Sequence, residues 1–286
     1  MKKIIWTPFF LVIVLAIMTA CSDADETNTE LSQKELVEQF YNTLYSINQE
    51  NLETYLSEEY KEHQITANFS IRGLRSYARN RVRTNSDHKI TIHRIIEEED
   101  FVFLHVEETF GDERIARGEL FRLQDRRIVE HWGNLQSHPE TTPNGNTMFD
   151  GASVDYTATS GRKFKEVFRK KDEEMFNELD YSIVEETRHT TYEQHNPFIG
   201  NGREQLKDWF DYIRADGASF NVENKIIIAE GDFIVQLNHF IVHPGQTQEA
   251  MNEKVFDLLR VRADGKTDAH WDIIESLNGA NEELVF

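Results

Sequence analysis

The pairs His131-Trp132 and His270-Trp271 each close the last apolar segment of one half of the chain, and the next residue differs: Gly133 in the first, Asp272 in the second. Alternate side chains of an extended strand point to the same face, so His270 and Asp272 lie together, with Trp271 and Ile273 opposite. An imidazole beside a carboxylate is equipment for moving protons. In an apolar pocket desolvation raises a carboxyl pKa, and an Asp can then exchange protons near neutral pH. Asp257, on the preceding strand, supplies a second polar group if it faces inward. His195, beside Asn196, is a further group able to bind or polarise a carbonyl oxygen if it reaches the same pocket. The plainer role for these groups is structural: an Asp that hydrogen-bonds a loop, and a His that packs.

Gly133 has no titratable atom, so the first half cannot run the same chemistry. It offers His63, His105, Glu119 and His131 instead. Imidazole and carboxylate are ordinary zinc or iron ligands, but this spacing matches no metal motif. The expectation is a degenerate pocket that binds a ligand or supports its partner, with no metal and no cofactor.

The elements that must position these residues occur twice, in one order. Ser32 and Glu35 make a capping box, Leu31 and Leu36 a hydrophobic staple, and Leu36, Val37, Phe40, Tyr41 and Leu44 recur at helical spacing. A short helix holds Leu52, Tyr55 and Leu56. "YKEHQ" around His63, Gly73 and another helical stretch follow, and then the strands "KITIHRII", "FVFLHVEE", "ARGELFRL" and "RIVEHWGNL". In the second half Phe164, Val167 and Phe168 mark a helix, "YEQHNP" places His195, and Gly202 precedes a helix with Leu206, Trp209, Phe210 and Ile213. "NKIIIAE", "DFIVQLNHF", "KVFDLLRV" and "TDAHWDIIES" are its strands. Helices first and closely spaced strands after them indicate an α+β class. "SHPETTPNGNTMFDGAS" is rich in turn formers and reads as a linker. The expected boundaries are 31–137 and 159–286 for the two domains, with 138–158 between them.

This order resembles the SnoaL-like polyketide-cyclase family of the nuclear-transport-factor-like superfamily. The resemblance rests on Gln194-His195-Asn196-Pro197 with Gly202, on Gly231-Asp232, and on "DLLRVRADGKTDAHWD". In the first half it rests on "YKEH", "ELFRLQDRRIVEHW" and "NTMFDG", and it spans about Leu31 to Asn278. It implies two tandem cone-shaped α+β barrels, each a curved antiparallel sheet around a long helix that encloses a pocket. It also implies that Asp272, two residues after the strand's His, is the general acid/base, suited to an aldol-type closure or a double-bond shift. His270, His195 and Asp257 would assist, and Asn196, Trp271, His63, His105, Glu119 and His131 are the candidate ligand contacts. Fold does not dictate reaction, so the first expectation is a binder of a small apolar or carbonyl-containing ligand, and the alternative a cyclase or isomerase. The outer apolar sheet faces would pack as a pseudo-dimer inside a monomeric chain.

The chain opens "MKKIIWTPFFLVIVLAIMTACSD", two lysines, an apolar run and small residues before Cys21, the only cysteine. This is the build of an export signal and resembles that of a bacterial lipoprotein, with 1–20 removed, Cys21 lipidated and 21–30 an acidic tether. Several acyl chains on Cys21 would hold the protein on a membrane of the bacterial envelope. Of the 31 basic residues, the signal takes Lys2 and Lys3, which leaves 29 against 51 acidic, a formal charge of −22. That balance excludes a nucleic-acid partner, because phosphate binding needs a basic surface. The sequence holds no glycine-rich phosphate loop, H-E-x-x-H or G-x-S-x-G.

Overall fold

The computed structural model describes residues 30–286; Cys21 and the segments expected to be a signal and most of a tether lie outside them. The first helix starts where its box predicts: Ser32 caps α1 (Gln33–Leu44), accepting from the Glu35 backbone N–H while the Glu35 carboxylate accepts from that of Ser32. Its apolar stripe, Leu36, Val37, Phe40, Tyr41 and Leu44, is buried. A 3-10 turn (Leu52–Tyr55) leads to β1 (Leu56–Glu62) and α2 (Ile71–Thr84), and then to β2 (Lys89–Glu98), β3 (Phe101–Phe110), β4 (Glu113–Gln124) and β5 (Arg127–Ser137). The second half repeats the plan with α3 (Ser160–Glu178), α4 (Tyr181–Thr187), β6 (Arg188–Gln194), α5 (Arg203–Asp216), β7 (Ser219–Glu230), β8 (Phe233–His243), β9 (Met251–Val261) and β10 (Thr267–Ser276). A short α6 (Glu282–Val285) ends the chain.

Each half forms one five-stranded sheet, ordered β1-β5-β4-β3-β2 and β6-β10-β9-β8-β7. Four strands of each are antiparallel, as their close spacing in sequence dictates. The fifth is a finding beyond the sequence pattern: β1 runs parallel to β5, and β6 parallel to β10. Both lie at a sheet edge, and "LSEEYKE" and "RHTTYEQ" lack the apolar alternation of a half-buried strand. Equivalent register shifts between Ile92 and Arg94 and between Asn224 and Ile226 bend the sheets.

One face of each sheet wraps its own helices, giving cores around Phe40, Leu74 and Phe121 in the first half and around Met175, Phe210 and Ile213 in the second. The opposite faces pack on each other. Ile96, Phe103, Leu120 and Trp132 meet Val235, Phe256, Leu258 and Trp271 in one buried cluster. The contacts are reciprocal, β2 with β7, β5 with β10, and β4 with β10 matched by β5 with β9, the pattern of a two-fold pair within one chain. Gly118 makes this approach possible: a Cβ there would stand 2.7 Å from the Phe256 ring. Leu31–Phe286 is accordingly one compact unit.

The linker is pinned rather than loose. Met148 and Phe149 are buried, the Arg94 guanidinium donates to the carbonyls of Phe149, Asp150 and Ala152, and the Trp271 indole donates to that of Asp150.

Candidate ligand site in the second half

Strand alternation sends His270, Asp272 and Ile274 of β10, and Glu253, Val255, Asp257 and Leu259 of β9, into a cavity of about 490 Å³ between sheet and helices. Phe176 of α3, Trp209 of α5, Phe220 of β7 and Phe240 of β8 supply an aromatic wall. Asp257 and Asp272 face each other across the strand pair.

His270 joins the polar groups. Its Nδ1 donates to Gln194 Oε1 (2.7 Å), an oxygen that also accepts the Asn196 backbone N–H (3.1 Å). Its Nε2 meets Asp257 Oδ1 (2.9 Å), and Asn238 Nδ2 donates to Asp257 Oδ2 (2.7 Å). Asn196 Nδ2 donates to Asp272 Oδ2 (2.6 Å). Asp272 Oδ1, on a residue only 5% exposed, has no hydrogen-bond partner among the described residues.

Burial pushes the Asp272 carboxyl up to about 6; His270 and the Asn196 amide pull it down, and Asp257 pushes it further up. Burial opposes charge on His270, but the hydrogen bond to Asp257 and the charges of Asp272 and Asp257 outweigh it, and its pKa is raised. A carboxylate that titrates near neutrality, with one oxygen free, can take up or release a proton in this cavity. The ligand atoms of Asp257, His270 and Asp272 also lie within 4.8 Å of one another, a spacing a divalent cation can bridge. Both imidazole nitrogens, however, are already hydrogen-bonded.

The structure therefore brings Asp272, His270, Asp257 and Asn196 together at one cavity. It does not bring His195 or Trp271. Trp271 points to the other sheet, and His195 stacks on it (centroids 4.5 Å apart) while its Nδ1 meets Thr147 O and Asp150 Oδ1, each at 2.8 Å. The expectation that His195 and Trp271 contact a ligand in this cavity is corrected by strand parity: both lie one residue out of phase with the lining positions. Gln194, which orients His270, was missed because 188–194 lacks the pattern of a strand. Asn238 and Glu253 were missed because no motif includes them.

The first half holds the equivalent residues in a different state. His63 stacks on Trp132 (4.8 Å) and bonds Leu284 O and Glu130, facing away from the interior. His105 faces the other sheet and accepts from Arg94 (3.0 Å), and burial and then the Arg94 charge hold its pKa well below the usual value. Glu119 and His131 do point inward, but into packed side chains. His131 lies between Glu62 Oε1 (2.9 Å) and Glu119 Oε2 (2.7 Å). Glu119 Oε1 accepts from Arg117 (2.5 Å) and Tyr41 (2.9 Å), and Arg117 reaches Glu108 (2.9 Å). A Cβ on Gly133 would stand 2.5 Å from Gln64 Oε1 and 2.7 Å from Glu119 Oε2. In the first interior, where a degenerate pocket was expected, Gln64 and Glu119 fill the space beside Gly133, and none of His63, His105, Glu119 and His131 lines the cavity of the second half.

No protein-family model matches the chain, and no curated protein matches it. Solved structures do. TsrD from Streptomyces laurentii is 17% identical over 44% of this chain and 98% of its own, with a TM-score of 0.36. An NTF2-like protein of unknown function from Cytophaga hutchinsonii is 20% identical over 38% and 94%, TM-score 0.31. IdmH, a putative polyketide cyclase from Streptomyces antibioticus, is 17% identical over 39% and 91%, TM-score 0.33. The likeness is one of fold. Less than half of this chain spans nearly all of each of these proteins.

Proposed function

We propose that this chain is an envelope lipoprotein, tethered through Cys21, whose second half binds a small, largely apolar molecule carrying one polar group. The first half serves as its packed support. The observation that carries the reading is the cavity: about 490 Å³, aromatic on one wall, with the unpartnered Asp272 Oδ1 among the polar groups lining it. Such a shape, apolar with few convergent polar groups, is that of a ligand site. Mass spectrometry of small molecules released from the purified protein tests it; a consistently empty cavity and no thermal shift with any hydrophobic probe would reject it. Metabolic labelling with a fatty acid, present in the wild type and lost in Cys21→Ser, tests the tether.

The carboxyl at about 6 supports a second reading, a cyclase or isomerase in which Asp272 moves the proton. Ionised Asp272 takes a proton from the carbon alpha to a carbonyl, the electrons of the broken C–H bond form the enolate, and Asp272 returns the proton at carbon or oxygen. No oxidant is needed. Deuterium exchange alpha to the carbonyl of a hydrophobic aryl ketone, followed by NMR, is expected to be accelerated by wild type and lost in Asp272→Asn. Equal exchange in both would end this reading.

A further inference from the structure

The second-half cavity is unevenly charged. Asp172, Glu173, Glu253, Asp257 and Asp272 line it, against Arg188 and His270 as the basic groups. Two of the acids have a cation: Arg188 donates to Asp172 (2.7 Å) and His270 meets Asp257 (2.9 Å). Glu173 accepts the Asn224 backbone N–H (2.7 Å). Neither Glu253 nor Asp272 has a cation within ion-pair distance among the described residues. Burial, and then the charge of Asp272, hold the Glu253 carboxyl above its usual range. Asp272 is more than nine-tenths buried and presents an oxygen that nothing satisfies.

An ionised carboxylate oxygen accepts hydrogen bonds and cannot donate one. A ketone brings only lone pairs to it and leaves it unsatisfied, whereas an ammonium brings both the donor and the opposite charge. The wall that shares the cavity suits such a guest. Trp209 stacks on Phe220 (5.2 Å), Phe240 packs on Phe220 (5.1 Å) and on Phe176 (5.3 Å), and ring faces attract cations as well as apolar surface. The strongly acidic chain also raises the local concentration of cations.

We infer that the occupant is a hydrophobic amine, its ammonium held by Asp272, with the Glu253 carboxyl four residue steps along the strand pair adding to the negative potential and the apolar body laid along the Phe176–Trp209–Phe220–Phe240 wall. The inference rests on the ligand-binding reading and narrows it to a chemical class. It is distinct from the carbonyl chemistry of the second reading, because it needs Asp272 ionised and occupied as an acceptor.

Calorimetry on the full-length protein with two matched probes, 4-phenylbutylamine and 4-phenylbutan-1-ol, tests it. The amine is expected to bind at least about tenfold more tightly, the scale of one charge-assisted hydrogen bond. In the double variant Asp272→Asn with Glu253→Gln that advantage disappears, and amine and alcohol bind equally. Glu253→Gln alone, at a partly exposed position that does not threaten folding, removes part of it. Equal binding of the two probes by wild type overturns the amine class and leaves the cavity reading standing. Binding of neither overturns both. An advantage that survives in the double variant places the ammonium elsewhere and overturns the assignment.

Discussion

Two interiors built from equivalent positions have opposite contents. Sheet register pairs Glu62 with Gln194, His131 with His270, Glu119 with Asp257 and Gly133 with Asp272. In both halves the histidine bridges an edge-strand side chain and a neighbouring-strand carboxylate. In the first half the edge partner is the acid Glu62, Arg117 sits where the second half has Val255, and Gln64 occupies the space a side chain at Gly133 would need. Each of these acids has a basic partner, and a side chain at Gly133 would find no room. In the second half the edge partner is the neutral Gln194, the cation is missing, and Asp272 keeps an unsatisfied oxygen beside a cavity. The same duplicated frame can thus be a sealed polar core or an open site. The difference lies in whether each buried acid has been given a partner, since an unpaired buried charge is expensive and is kept where something else will meet it.

The largest expected effect breaks the sealed side. Arg117→Met leaves Glu108 and Glu119 buried without their guanidinium, and chemical denaturation should show a loss of about 3–5 kcal/mol. A loss under about 1 kcal/mol would mean the network is not what holds the first interior.

The two histidine–carboxylate sets should also respond to pH in different windows. Burial alone would lower the His131 pKa, but Glu62 and Glu119 raise it from 6.5 to about 9. The folded state therefore binds this proton more tightly than the unfolded state. The stabilisation is complete below pH 6.5 and lost as pH rises through about 9. It amounts to about 3 kcal/mol in all, because each tenfold gain in proton affinity is worth about 1.4 kcal/mol. Urea midpoints measured across that range should slope downward in wild type and flatten in His131→Gln.

Asp272 works at lower pH. Its carboxyl is raised from 3.8 to about 6, so the stability linked to it is present below 3.8 and lost as pH rises through about 6. Ionised Asp272 then costs the folded state about 2–3 kcal/mol at about pH 8. Asp272→Asn should be more stable than wild type by about 2 kcal/mol at that pH, with the gain shrinking as pH falls toward about 4. An acid retained at a stability cost is what a working site predicts, and a destabilised Asp272→Asn would contradict it.

The smallest effect sharpens the comparison at its pivot. Gly133→Ala presses a methyl against Gln64 and Glu119, whose ends are locked in the network, and should cost about 1–2 kcal/mol by thermal or urea unfolding. No cost would mean that the first interior has slack.

Much of this was legible before any coordinates. The Ser32 capping box, the eight antiparallel strands and the repeat all follow from patterns of a few residues, because capping and strand alternation are local effects. Local pattern also placed His270 and Asp272 on one face and Trp271 on the other. It could not reveal β1 and β6, polar edge strands whose partners lie about 70 residues or more away, and so it put His195 rather than Gln194 at the site.

What the sequence determined by itself was the duplicated α+β frame and the presence of an acid in one half where the other has none. Only the tertiary structure decided which sheet face became interior, and that the first interior was filled by Arg117, Gln64 and Tyr41 while the second stayed open. Burial and charge pairing are properties of what surrounds a residue in space. Gly133 and Asp272 differ by one side chain in the sequence, but the cavity beside one and the packed amide beside the other come from distant segments meeting.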